Sequence, residues 1–252
     1  MAKETAAAKR QRSRRIVDRL ARAYPDATIS LRHQDPFQLL VAVVLSAQCT
    51  DARVNMVTPS LFARFPDAAS LAEAEPAEVE RLIHSTGFFR SKTRHLIGAA
   101  RRIRDAYGGS VPGRMEDLLT LPGVARKTAN VVLWNGFGRL DGVAVDTHVH
   151  RITRLLRLTR HHEPAKIEKD LVALVPRRRW GDFTHLVIAH GRAVCIANRP
   201  RCGECVLNDL CPSRHAPRLT PPSSPQLPQG PRRRGPPASP SAKPSPRGRR
   251  AR

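Results

Sequence analysis

Lys127 and Asp146 stand nineteen positions apart, and the lysine closes the stretch Leu121-Pro122-Gly123-Val124-Ala125-Arg126-Lys127. A lysine attacks an electrophilic carbon only as the neutral amine, so a reactive lysine needs surroundings that lower its pKa. A helix N-terminus, an apolar pocket and the neighbouring Arg126 all push in that direction, while phosphates nearby push the other way. A carboxylate beside it can stabilise positive charge on a sugar ring as a base departs, or shuttle protons as in glycoside hydrolysis. The plainer alternative makes Lys127 a phosphate contact and Asp146 a helix cap. Spacing alone leaves both open.

Four further residues carry chemistry. Cys195, Cys202, Cys205 and Cys211 fall within seventeen positions, spaced x6, x2 and x5. Thiolates so close together can converge on one metal site, which implies a reducing compartment better than disulfides do. The single short Cys-x2-Cys pair would suit zinc, which usually takes two such pairs. The irregular loop suits a cubane iron–sulfur cluster with four separated corners. Asn198-Arg199-Pro200-Arg201 lies between the first two ligands as a basic loop. Cys49 stands apart and reads as a small core residue.

The elements that must position these residues are helical. Pro122-Gly123 makes a tight turn that cannot continue the helix behind it, and a new helix starts at once. Lys127 is expected one turn into that helix. A hairpin of this kind leaves unpaired N–H groups at a positive helix end, a site for a phosphate oxygen. Asp146 reads as the N-cap of the helix that holds His148. Asp35-Pro36 opens a nearly all-apolar helix from Phe37 to Ser46, too short to span a membrane and therefore central to a core. Pro59, Pro66, Asp67 and Pro76 read as punctuation between short helices. Ser91 to Tyr107 puts Leu96, Ile97, Ala100 and Ile103 on one face, and Lys166–Val175 and Asp182–Val194 are two further helices. Gly142 to Val145 reads as extended, with no convincing run of alternating strands. The expected fold class is all-α.

Charge narrows the partner. The net charge of +23 and pI near 11.5 favour a polyanion, nucleic acid or an anionic membrane. From Ser213 to Arg252 there are ten Lys/Arg, no acid and eleven prolines among forty residues. That segment is expected to be disordered. The first fifteen residues carry +5 and read as a basic arm before a short amphipathic helix, Ile16–Tyr24, leaving +8 for residues 16–212. The charged N-terminus has no apolar run, so no secretory signal is expected.

The hairpin with its lysine, Val145-Asp146-Thr147-His148-Val149-His150-Arg151 and the four-cysteine loop together resemble the endonuclease III family of DNA glycosylases with lyase activity. The resemblance runs from about Lys9 to Cys211. It implies a two-lobed helix-hairpin-helix fold: a six-helix barrel over residues 29–140, and a cluster lobe from residues 1–28 and 141–212, followed by the tail 213–252. By resemblance, Lys127 is the nucleophile at C1′, Asp146 assists it, and the cysteines hold a [4Fe–4S] cluster. The substrate class implied is duplex DNA carrying oxidised pyrimidines or abasic sites, cut 3′ to the lesion by β-elimination. Gln48 matches the side chain that fills the space of the extruded base, and Phe88 the apolar wedge. Leu121, Gly123, Ala125, Arg126, His148, Arg199 and Arg201 complete the expected DNA contacts. Two departures stand out. Ala125 occupies the place of a second hairpin glycine, at a cost of roughly 1 kcal/mol if φ must be positive, and Phe88 replaces a leucine. A monomeric enzyme in the bacterial cytoplasm, at the nucleoid, is implied, with no membrane partner. The alternatives are a mismatch-specific relative and a non-catalytic DNA-binding iron–sulfur protein.

Overall fold

The computed structural model describes residues 4–214, all helix and loop, with no strand among them. Eleven α-helices occur in this range. They are α1 (Ala6–Ala23), α2 (Pro36–Leu45), α3 (Asp51–Arg64), α4 (Ala68–Ala72), α5 (Pro76–Ile83) and α6 (Phe89–Tyr107). After these come α7 (Met115–Leu118), α8 (Arg126–Phe137), α9 (Thr147–Leu155), α10 (Pro164–Leu174) and α11 (Trp180–Ala193). The all-α class is as expected. The expected disorder of residues 213–252 falls, beyond Arg214, outside the described residues. Among the described residues, no helix is long and apolar enough to cross a membrane.

Two apolar cores organise the chain inside one compact unit. In the first, α2 is the centre, with Leu39 through Leu45 all buried. Asp35 starts it as expected, its carboxylate accepting from the Gln38 N–H at 2.8 Å with proline in the first turn. Residues of α3 to α8 pack around it. The second core gathers Ile16, Val17 and Leu20 of α1 with apolar residues of α9 to α11 and Leu207 and Leu210 beyond them.

Two expectations are corrected. The N-terminal segment is not an arm before a short helix, because α1 begins at Ala6, capped by the Thr5 hydroxyl. Its Ala, Arg, Lys and Gln are good helix formers, and Ser13, Ile16, Val17 and Leu20 make one buried stripe. Arg12 anchors this helix to the second core by donating to the carbonyls of Leu156 (2.8 Å) and Leu210 (3.2 Å). Nor does Pro59 punctuate, since α3 runs through it. A proline forfeits one intrahelical hydrogen bond, and here the buried Thr58 and Leu61 on either side hold the helix against the core. The extended segment Gly142–Val145 belongs to no sheet. Val143, Ala144 and Val145 are buried, and the Ala144 carbonyl accepts from Thr184 Oγ1 of α11 at 2.9 Å.

Candidate active site

The hairpin joins α7 to α8. Gly123 takes φ +78°, and a Cβ there would lie 2.7 Å from His95 Cβ on α6. Only glycine combines that backbone with so close an approach. Leu121 is buried, its N–H donating to the Leu118 carbonyl and its carbonyl accepting from the Val124 N–H, both at 3.1 Å. Ala125 is the N-cap of α8 with φ −93° and ψ 168°. This is ordinary extended backbone, so alanine in place of glycine carries no strain here. Because a methyl cannot accept, the first N–H groups of α8 receive no side-chain cap. They stay available to an anion at the positive helix end.

Lys127 is the second residue of α8, not one turn in, and its side chain is exposed. It forms no ion pair among the described residues. Arg126 behaves otherwise. Its Nε donates to Glu168 Oε2 of α10 at 2.8 Å, and Asn130 Nδ2 donates to Glu168 Oε1 at 2.9 Å. Glu168 is buried and Asp141 lies 3.7 Å from the same guanidinium. Arg126 therefore braces the hairpin against the second core, and its charge is largely answered inside the protein.

Asp146 caps α9, accepting from the Val149 N–H at 2.7 Å, which leaves its second oxygen free of that bond. Lys127, Asp146, His148 and Gln48 line one open cleft of about 490 Å³, together with Ser30, Cys49, Asp51, His185 and Arg192. Its walls come from the first core's side and from α9 and α11, which carry the second core on other faces. Burial lowers the pKa of His148, with Arg151 and Arg192 adding to the effect and Asp146 opposing it. His148 Nδ1 is buried without a partner among the described residues, and the ring rests on Gly191 of α11. Cys49 lines the cleft half-buried, so it packs against the core without lying inside it as expected.

Gln48 and Phe88 share an unusual property. With Arg157, they are the only described non-glycine residues with positive φ, at +54° and +48°. Both are exposed, Phe88 by 67%. A large apolar side chain held in solvent on a left-handed backbone is strained twice over, and such strain concentrates at functional sites.

The four cysteines line a second cavity, with Arg151, His190, Arg201 and Leu207 on its wall. Arg151 Nη1 lies 3.6 Å from Cys195 Sγ, and the Leu207 N–H donates to Cys205 Sγ at 3.4 Å. Burial pushes the Cys195, Cys205 and Cys211 thiols up. Among the described residues no three His, Cys, Asp or Glu side chains converge on a single-ion site. Four sulfurs lining one cavity, with Arg151 beside Cys195 and the Leu207 N–H on Cys205, fit the four-thiolate donor set of an iron–sulfur cluster. Arg201 is exposed, donates to the Ala193 carbonyl and pairs with Glu204 at 3.2 Å. Arg199 is exposed with no partner among the described residues.

Two cleft residues escaped sequence reasoning. His185, on α11, donates from Nε2 to Asn135 Oδ1 (3.1 Å), and Arg192 pairs with Asp51 at 2.9 Å and reaches Ser30 Oγ. A histidine or arginine within an apolar helical pattern reads as core or solvated face. Only the packing of α11 against α8 and α9 turns them towards the cleft.

Residues 41–177 match the HhH-GPD superfamily of base excision DNA repair proteins. The chain is 57% identical over 210 residues to endonuclease III of Synechocystis sp. (strain ATCC 27184 / PCC 6803 / Kazusa), covering 83% of this chain and 96% of that one. Two solved structures align at 41% identity with a TM-score of 0.77, over 81% of this chain and 95% of theirs. One is a non-covalent endonuclease III–DNA complex and the other a trapped endonuclease III–DNA covalent intermediate.

Proposed function

The chain belongs to the endonuclease III family, and from that premise we propose that Lys127 is the nucleophile of a DNA glycosylase and abasic-site lyase of base excision repair. The observation that carries the assignment is the cleft that gathers Lys127, Gln48, and Asp146 with His148 from three separate segments.

In this reading a phosphate of the damaged strand sits on the uncapped N–H groups of α8. That contact holds the sugar beside Lys127, and such positioning is itself a large part of the rate. The damaged nucleotide leaves the stack before reaction. Phe88 enters as the wedge and Gln48 fills the space left behind. The Lys127 amine forms a bond to C1′ as the glycosidic bond breaks, and its electron pair departs with the base. Asp146 stabilises the charge that develops on the sugar and takes up the proton the amine releases. Ring opening gives a Schiff base, which acidifies the C2′ hydrogens. Loss of one C2′ proton expels the 3′ phosphate oxygen and cuts the strand, and water then releases the amine.

Oxidised pyrimidines are the substrate class we propose, since the family resemblance implies it. Cys195, Cys202, Cys205 and Cys211 would hold a [4Fe–4S] cluster, which when bound ties their loop into one rigid unit. Arg199 and Arg201 are then the DNA contacts of that loop, Arg201 being held also by the Ala193 carbonyl and Glu204. The domain division follows the cores: residues 29–140 form the barrel lobe, and residues 1–28 with 141–212 the cluster lobe.

The test is borohydride trapping on a duplex with one abasic site. A covalent adduct with the cluster-loaded protein that disappears in Lys127→Ala, while duplex binding persists, is the expected outcome. Failure of the unaltered protein to form an adduct would sink the lyase assignment.

A further inference from the structure

Lys92 is the fourth residue of α6 and only 4% exposed. Its Nζ donates to the main-chain carbonyls of Leu45 at 2.7 Å and Thr86 at 2.8 Å. Leu45 is the last residue of α2, and Thr86 ends a 3-10 turn, His84–Thr86. No carboxylate pairs with the ammonium among the described residues. The negative ends of two helical segments face it instead. Burial lowers its pKa, and Cys49 works in the opposite sense. The Lys92 N–H also donates to the Phe88 carbonyl at 3.0 Å. One residue therefore grips the main chain three positions before Gln48, two before Phe88, and at Phe88 itself.

A buried ammonium is costly, and a single lysine without a carboxylate adds little to a fold that apolar packing already holds. The strained backbones at Gln48 and Phe88 do need something, because such conformations persist only where neighbouring structure over-determines them. Among the described residues, Lys92 is the one side chain hydrogen-bonded just ahead of both.

We propose that Lys92 is a positioning residue for base extrusion, locking the Gln48 and Phe88 loops together so that wedge and space-filler enter the duplex as one unit. This rests on the assignment of those two loops made above. With the ammonium present, the ordering of both side chains is complete before DNA arrives. Without it, the Leu45 and Thr86 carbonyls lose their donor, each loop relaxes separately, and every encounter has to order them afresh.

The experiment compares the full, cluster-loaded chain with Lys92→Met on two duplexes. One carries an oxidised pyrimidine beside 2-aminopurine, whose fluorescence rises on unstacking; the other carries a preformed abasic site, with no base to extrude. Lys92→Met is expected to slow both the fluorescence rise and single-turnover base release by roughly tenfold or more. Cutting at the abasic site should fall much less. Lys92→Gln, which keeps an amide donor, should recover part of the loss. An equal fall on both duplexes, or an unchanged fluorescence rate in folded Lys92→Met, overturns the proposal. If Lys92→Met does not fold, Lys92→Gln enters a double-mutant cycle with Phe88→Ala. Coupling supports the proposal and additivity overturns it. Phe88→Ala alone separates the two levels. Unslowed extrusion there defeats the loop assignment, and the proposal with it. Slow extrusion there beside normal extrusion in Lys92→Met defeats the proposal alone.

Discussion

Ala125 answers at the residue scale the question its sequence posed. With φ −93° it lies outside the left-handed region, so a glycine would relieve no strain. Its effect is to leave the first turn of α8 uncapped, which costs stability and frees donors for phosphate. Ala125→Ser should therefore stabilise the fold by about 1 kcal/mol, through a hydroxyl bonded to the α8 N–H groups. The same change should weaken binding to an abasic duplex, because hydroxyl and phosphate compete for those donors. Thermal melting and binding at one salt concentration read the two effects. A serine variant that binds DNA as tightly as alanine would show that these N–H groups are not the phosphate site.

At the scale of elements, the packing of α9 against α11 sets the protonation of the cleft. His148 rests on Gly191, and His185 faces Asn135 across to α8. Burial lowers the pKa of both imidazoles below the ordinary 6.5. The sign follows directly: between the lowered folded value and the unfolded value, the unfolded chain binds more protons. The stability tied to these histidines is thus present above about pH 6.5 and is lost as pH falls through their folded values. Unfolding midpoints of the intact protein should drop between about pH 7 and pH 5, with a shallower slope in His185→Gln. Equal slopes would mean that His185 titrates no differently in the folded and unfolded chains. The carboxylates with shifted pKa values are lowered from values of 4.5 or below, so they act beneath this window.

At the largest scale, helices of two apolar cores line one cleft, and the basic charge extends well beyond it. Residues 215–252 carry nine Lys/Arg and no acid, with no residue of the proposed chemistry. Removing them should lower the slope of log affinity against log salt, by about 0.9 for each phosphate that the segment neutralises. Single-turnover base release at saturating protein should stay the same. An unchanged salt slope would show that the segment does not engage DNA.

The chain's local chemistry was legible before any folding. The helices around Pro36 and Asp146, the hairpin turn at Gly123 and the cysteine loop are written in caps, breakers and spacings that act over a few residues. The pairing of Lys127 with Asp146 was left open by spacing and came only through the family resemblance. What local signals cannot carry is the direction a charged side chain takes once helices pack. Arg126 and Arg201 read as DNA contacts, and packing gives each a partner that the sequence did not announce, Glu168 and the Ala193 carbonyl, while both side chains stay about half exposed. Lys92 is in helical phase with the buried Leu96, Ala99 and Ile103, a pattern that marked it for the interior, although its lysine type said surface. Only the tertiary structure brings two carbonyls from distant segments to its ammonium, because satisfying a buried charge takes partners that no stretch of neighbouring residues supplies.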